Sequence, residues 1–185
     1  MVGISNLEIG AATALVNDDK PAAATRLVRR AADAMLLITS QLSMLEHMSP
    51  SDYAVVRTAL GHGAGFDSPG FRAAHKVSPP LGDAFKQLLD RRHLTMLDVY
   101  ERGYELEDVY QLAEQMLTWD ERSIVWRFQH LKTVERIIGG NVIGTQGTPV
   151  EVLGRRIDVK FFPELWEVRD EITRRSALGT DGHGR

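Results

Sequence analysis

Apolar residues recur at spacings of three and four along nearly the whole chain, and no stretch of five or more residues alternates at period two with β-branched enrichment. That pattern specifies packed helices and leaves no signal for a sheet, so the expected fold is all-α, a bundle of helices of unequal length. Residues 5–17 carry a loose apolar face of Leu7, Ile9, Ala12, Ala14 and Leu15. Asn17-Asp18-Asp19 then reads as a stop, and Pro21 suits the first turn of the next helix. That helix is expected to run to about Glu46, with Leu27, Ala31, Met35, Ile38, Leu42 and Leu45 as its apolar stripe.

Ser49-Pro50-Ser51-Asp52 has the order of a helix start: a hydroxyl cap, proline at the first helical position and a carboxylate in the first turn. The helix ends at Leu60-Gly61, before a glycine-rich loop to Gly70. A further helix is expected after Pro79-Pro80, to about Arg91. From Glu105 to Ile138 the pattern is helical again. Thr118-Trp119-Asp120-Glu121 resembles a capping box, which predicts a break and two helices, 105–117 and 119–138. A second glycine-rich loop covers Gly139 to Thr148, and a last helix spans Pro163 to Arg174. The reading is one domain over residues 1–175 with a polar, glycine-rich, disordered tail over 176–185.

Composition narrows the chemistry. With 185 residues, 43% hydrophobic and 25% charged, the chain can bury a core. A net charge of −3 gives no case for nucleic acid. No cysteine is present, which excludes disulfides, thiolate zinc, iron–sulfur clusters and thiolate-ligated haem. Ligation falls to six histidines or to carboxylates. The longest apolar run, Ala31 to Ile38, contains Asp33 and is too short to span a bilayer, and no leader pattern precedes it, so a cytoplasmic location without membrane contact is expected.

Three constellations could carry function. His130 has Trp126, Val134 and Ile137 at i−4, i+4 and i+7, so its imidazole lies on an apolar helix face. Such a site suits an axial haem ligand, and equally a core histidine bonded to a carbonyl. Tyr53 and Arg57 share a face four residues apart, and a hydroxyl with a planar guanidinium suits an amino-acid carboxylate, or is simply an exposed pair. The loop after Ile138 has the spacing G-x-x-x-x-G, but Thr145 follows where a phosphate loop needs lysine, so nucleotide binding is rejected. That loop is either a connector or a segment that orders over a ligand. Asp90 and His93 have the carboxylate–histidine spacing of di-iron bundles, but only once, which reads as surface. Glu101, Glu105, Glu107 and Asp108 read as a solvated face.

Longer strings say more. Arg127-Phe128-Gln129-His130-Leu131-Lys132-Thr133-Val134-Glu135-Arg136-Ile137-Ile138-Gly139, then Gly144-Thr145-Gln146-Gly147, then Phe161-Phe162-Pro163-Glu164-Leu165-Trp166, resemble the tryptophan 2,3-dioxygenase family. So does Tyr53-x-x-x-Arg57-x-x-Leu60-Gly61-x-x-x-Gly65-Phe66-x-Ser68, and together the match covers roughly residues 7–173. The resemblance implies an all-α protein with non-covalent b-type haem that assembles as a homo-oligomer. It implies that His130 is the axial ligand of the haem iron, flanked in the cofactor site by Trp126 and Val134. Tyr53 and Arg57 would hold the substrate carboxylate, and Thr145 the substrate ammonium. The implied substrate is tryptophan or a related aromatic amino acid or indole, with O₂ or peroxide as oxidant. The family reaction inserts both oxygen atoms across the indole C2–C3 bond.

The chain also departs from the family. Gln146 stands where the family has a glycine, and Pro149 follows. The family's N-terminal segment, which carries a distal histidine, distal aromatic residues and tyrosines lent to a neighbouring subunit, has no counterpart here. The expectation is therefore a short member without that segment. It could be an aromatic hydroxylase of secondary metabolism, a haem-binding module without turnover, or one part of a split enzyme.

Overall fold

A computed structural model of the chain describes residues 1–60, 69–140, 154 and 157–180. These form seven α-helices and one 3₁₀ helix, with no strand among the described residues. Helix α1 spans Val2–Asn17 and α2 spans Pro21–Gln41. Between them Asp19 takes a left-handed φ of 58°, and Lys20 N donates to Leu15 O at 2.9 Å, closing the turn the Asn17-Asp18-Asp19 signal predicts.

The α1 face is the expected one only in part. Ile9, Ala12 and Val16 are buried, with Ser5 and Asn6 beside them, while Leu7 is exposed. The donors of the two polar residues find partners inside: Ser5 Oγ donates to Ala31 O and Asn6 Nδ2 donates to Gly70 O at 2.8 Å, while Asn6 Oδ1 has no partner among the described residues. The α2 stripe also changes. Ala24, Val28, Ala31 and Met35 are buried, but beyond Met35 the helix leaves the core. It then tightens into the 3₁₀ helix Leu42–His47 rather than continuing to Glu46 as an α-helix.

Helix α3 spans Pro50–Leu60 and starts as read. Asp52 N donates to Ser49 Oγ at 3.2 Å and Ser49 N donates to Asp52 Oδ2 at 3.1 Å, a reciprocal capping box. Hydrogen bonds from Ser49 hold the Asp52 carboxyl below its ordinary range, the side-chain bond contributing most.

Helix α4 spans Pro69–Arg91, so it begins well before the expected start and contains Pro79 and Pro80. A proline inside a helix removes one hydrogen bond to the carbonyl four residues earlier. Here the carbonyls concerned belong to His75 and Lys76, which like the two prolines lie on the exposed side of the helix. Ser78, just before them, is fully buried and donates to Ala74 O at 2.8 Å.

Helix α5 spans Met96–Glu101, and α6 spans Glu107–Ile138 without a break. The expected interruption at Thr118 is corrected: Thr118 Oγ1 donates back to Glu114 O at 2.8 Å within the helix. Trp119 and Asp120 are both wholly buried, so the helix is held by packing through the stretch that looked like a cap. Helix α7 spans Pro163–Thr180, beyond the expected end at Arg174.

Helices α1, α2, α4 and α6 make the bundle. Helix α2 packs against α1 and α6, and α4 packs against α1. Side chains of α4 and α6 close the ring: Trp119 Nε1 donates to Ser78 Oγ at 2.9 Å, and the Phe71 and Trp126 rings stack 3.7 Å apart. These pairs run in opposite chain directions, so the two helices are antiparallel. Phe85, Leu81, Leu112 and Met116 fill the centre. Among the described residues no helix is long and apolar enough to cross a membrane.

Candidate functional site

His130 lies in the last third of α6, two helical turns before the helix ends. The end is set by Gly139, whose φ of 90° excludes most side chains, with its N–H donating to Glu135 O at 2.8 Å. One turn before His130, Trp126 lies parallel to the imidazole, centroids 4.9 Å apart at 11°. Trp126 in turn stacks on Phe71 of α4. Three planar rings are thus layered across two helices. Val134 is half-buried and Ile137 buried, so the apolar surroundings read from the spacing are present.

Burial pushes the His130 imidazole below its ordinary range, which favours the neutral ring. Haem iron binds a neutral imidazole through one ring nitrogen. Stacking on Trp126 engages the face of the ring and leaves its nitrogen-bearing edge. The donor chemistry therefore fits a haem axial ligand. Among the described residues no group of three metal-ligating side chains occurs. A haem site needs only one protein ligand, so this sets no conflict.

Tyr53 and Arg57 sit on α3, which packs against α6. Tyr53 is half-buried and Arg57 exposed. What places α3 there is the preceding 3₁₀ helix, tied to α6 by Gln129 Nε2 donating to Glu46 Oε1 at 2.7 Å. Gln129 is the residue before His130, and Ser49, the α3 cap, is three residues after Glu46. The fold thus brings the Tyr53/Arg57 helix to the His130 end of α6. Among the described residues no hydrogen bond or ring contact joins the pair directly to His130. Thr145 lies outside the described residues, as does most of the loop that carries it.

Sequence reasoning missed Asp120 as an organiser of this region. Its carboxylate is wholly buried and accepts from Phe161 N at 2.9 Å, Phe162 N at 3.2 Å and Trp166 Nε1 at 3.0 Å. One side chain therefore fastens the start of α7 to the middle of α6. The Phe161 ring reaches His75 edge-on and takes the Arg127 guanidinium over its face, 5.4 Å from the centroid. The signal available was a carboxylate on the apolar face of Met116, Trp119 and Ser123, too deep for a solvated residue.

No family model matches the chain. It is similar to curated proteins named tryptophan 2,3-dioxygenase. The one from Myxococcus xanthus is 28% identical over 217 residues, covering 90% of this chain and 74% of the relative. Those from Serratia proteamaculans and Bacillus thuringiensis are each 29% identical over 216 residues, covering 89% of this chain and 77% of the relative. Since 90% of 185 residues is about 166, about 50 of the 217 aligned positions carry no residue of this chain. Part of the difference in length from these relatives therefore falls inside the matched region.

Proposed function

We propose, from the premise that this chain is homologous to the tryptophan 2,3-dioxygenases, that it is a haem-dependent oxygenase of tryptophan or a related aromatic amino acid or indole. The observation that carries the reading is His130: an imidazole whose burial favours the neutral ring, layered with Trp126, in a chain aligned over about nine-tenths of its length with proteins of that name.

In this reading His130 would hold the haem iron through a ring nitrogen, with Trp126 and Val134 beside it. Bound haem would supply the oxygen chemistry, and the protein orientation and electrostatics. Arg57 offers a bidentate fork to the substrate carboxylate and Tyr53 a hydroxyl donor. Their task is positional: clamping the amino-acid end fixes where the aromatic ring lies relative to the cofactor. The exposure of Arg57 suits a group that must meet a ligand arriving from solvent. Thr145 would meet the ammonium group.

The test is a substrate titration of haemin-reconstituted protein. L-tryptophan is expected to shift the Soret band, and Arg57→Ala to weaken that response at least about tenfold while leaving haem uptake near wild type. N-formylkynurenine as product would establish the dioxygenase reaction. A hydroxylated indole or phenol would move the assignment to aromatic hydroxylation. A second reading, haem binding without turnover, draws on the roughly 50 internal positions the relatives hold and this chain does not. Haem uptake with no product from tryptophan, indole or tyrosine, under O₂ or peroxide, would favour it.

A further inference from the structure

Where α4 meets α6, three rings lie flat on one another. Phe71 stacks on Trp126 at 3.7 Å and 18°, and Trp126 on His130 at 4.9 Å and 11°. Packing alone does not require parallel planes: Tyr100 meets Tyr110 edge-on at 80°, and His75 meets Phe161 at 81°. Aromatic pairs adopt either geometry at similar cost, but only the face-to-face one hands the plane of one ring to the next.

Among the described residues neither of the last two rings is oriented by a hydrogen bond. Trp126 Nε1 is buried with no partner, and neither imidazole nitrogen of His130 has one. A metal-ligating histidine ordinarily has its second nitrogen bonded, which fixes how the ring is turned. Here the stack is what holds the ring, and a stack needs a fixed far end. Phe71 supplies it. Just before Phe71, Gly70 O accepts from Asn6 Nδ2 of α1 at 2.8 Å. Two turns further along, Ser78 of α4 accepts from Trp119 of α6 at 2.9 Å. Asn6, Ser78 and Trp119 are all buried, so the position of Phe71 is set by the body of the bundle. Trp126 passes that position on to His130.

We infer that Phe71 is a positioning residue for the candidate haem site: anchored by α1 and α4, it keeps Trp126 flat and so sets the plane in which the His130 imidazole is presented to the iron. The inference rests on the reading of His130 as the axial ligand. An imidazole binds a metal through a lone pair in its own plane, so turning the ring about that bond changes its overlap with the metal orbitals without breaking the bond. Loss of the flat face at Phe71 therefore loosens the orientation of the ligand more than it removes haem.

The test compares two variants of the full chain: Phe71→Leu, which stays apolar and loses the flat face, and Phe71→Tyr, which keeps it. In the haem-free protein the His130 ring-proton resonances are expected upfield of free histidine, because the ring stacks on an indole. Phe71→Leu should move them toward the free position, and Phe71→Tyr should not. After loading with haemin, with cyanide as the probe ligand, ferric EPR of the wild type and Phe71→Tyr is expected to show one narrow set of g values, and Phe71→Leu a broadened set. Haemin affinity should fall by no more than about tenfold in Phe71→Leu, the worth of one aromatic pair. If Phe71→Leu does not fold, Trp126→Phe against Trp126→Leu makes the same comparison one ring closer to the iron. Normal haemin uptake with EPR of Phe71→Leu identical to wild type overturns this inference alone. No haemin uptake by the wild type overturns the axial-ligand reading and this inference together.

Discussion

The middle of α6 and its last third have the same helical pattern and different fates. Around Trp119 and Asp120 the helix is wrapped by α2, α4 and α7, and its polar groups are satisfied inside the protein. Around His130, among the described residues, several large apolar side chains of α6 and neighbouring helices are exposed. Helix α2 shows the contrast within three residues: Met35 is 1% exposed, whereas Leu37 is 56% exposed. Met44 of the 3₁₀ helix, Val55 of α3 and Phe128 of α6 extend the open surface. The first stretch is built for stability. The second carries the groups suited to binding, and its surface is of the kind that other chains or ligands cover.

Substitutions should divide along that line. Asp120→Ala is expected to do the most damage, about 3–5 kcal/mol, because it strands three buried donors and removes a carboxylate beside Arg127. Urea unfolding measures it, and a loss under about 1 kcal/mol would mean that the α6–α7 junction is not anchored as described. Next, Met35→Ala should cost about 2–5 kcal/mol, while Leu37→Ala should stay within about 0.5 kcal/mol. Equal losses at the two positions would erase the comparison.

The smallest effect is a pH dependence. The His130 pKa is depressed in the folded chain, so the unfolded chain binds the proton more tightly. His130 therefore lowers stability as pH falls through the ordinary histidine range, and costs nothing above it. His130→Gln should flatten that part of the stability profile. An unchanged slope would place the imidazole in water.

The helical repeat reveals the all-α class and the start of α3, because capping and period-3.6 burial are local properties of the chain, but it passes over α5 and divides α6 in two. It misplaces what tertiary contacts decide. Thr118 has the residues of a cap, but capping requires a free helix end, and Leu117 and Trp119 are held in the core on either side of the expected break. Pro79-Pro80 reads as a boundary, but both prolines lie on the exposed side of the helix. The apolar stripe of α2 cannot reveal where a neighbouring helix stops covering it. For the site, the apolar face of His130 follows from spacing alone. The ring stack with Phe71 does not, because it joins residues 55 apart in sequence.

The central claim is that His130 binds haem iron. Titrating haemin into the purified chain, followed by the Soret band, tests it directly in wild type and His130→Ala. A stoichiometric band in the wild type that is lost or displaced to free haemin in the variant is the expected result. No haem uptake by the wild type, or a band unchanged by His130→Ala, would contradict the account.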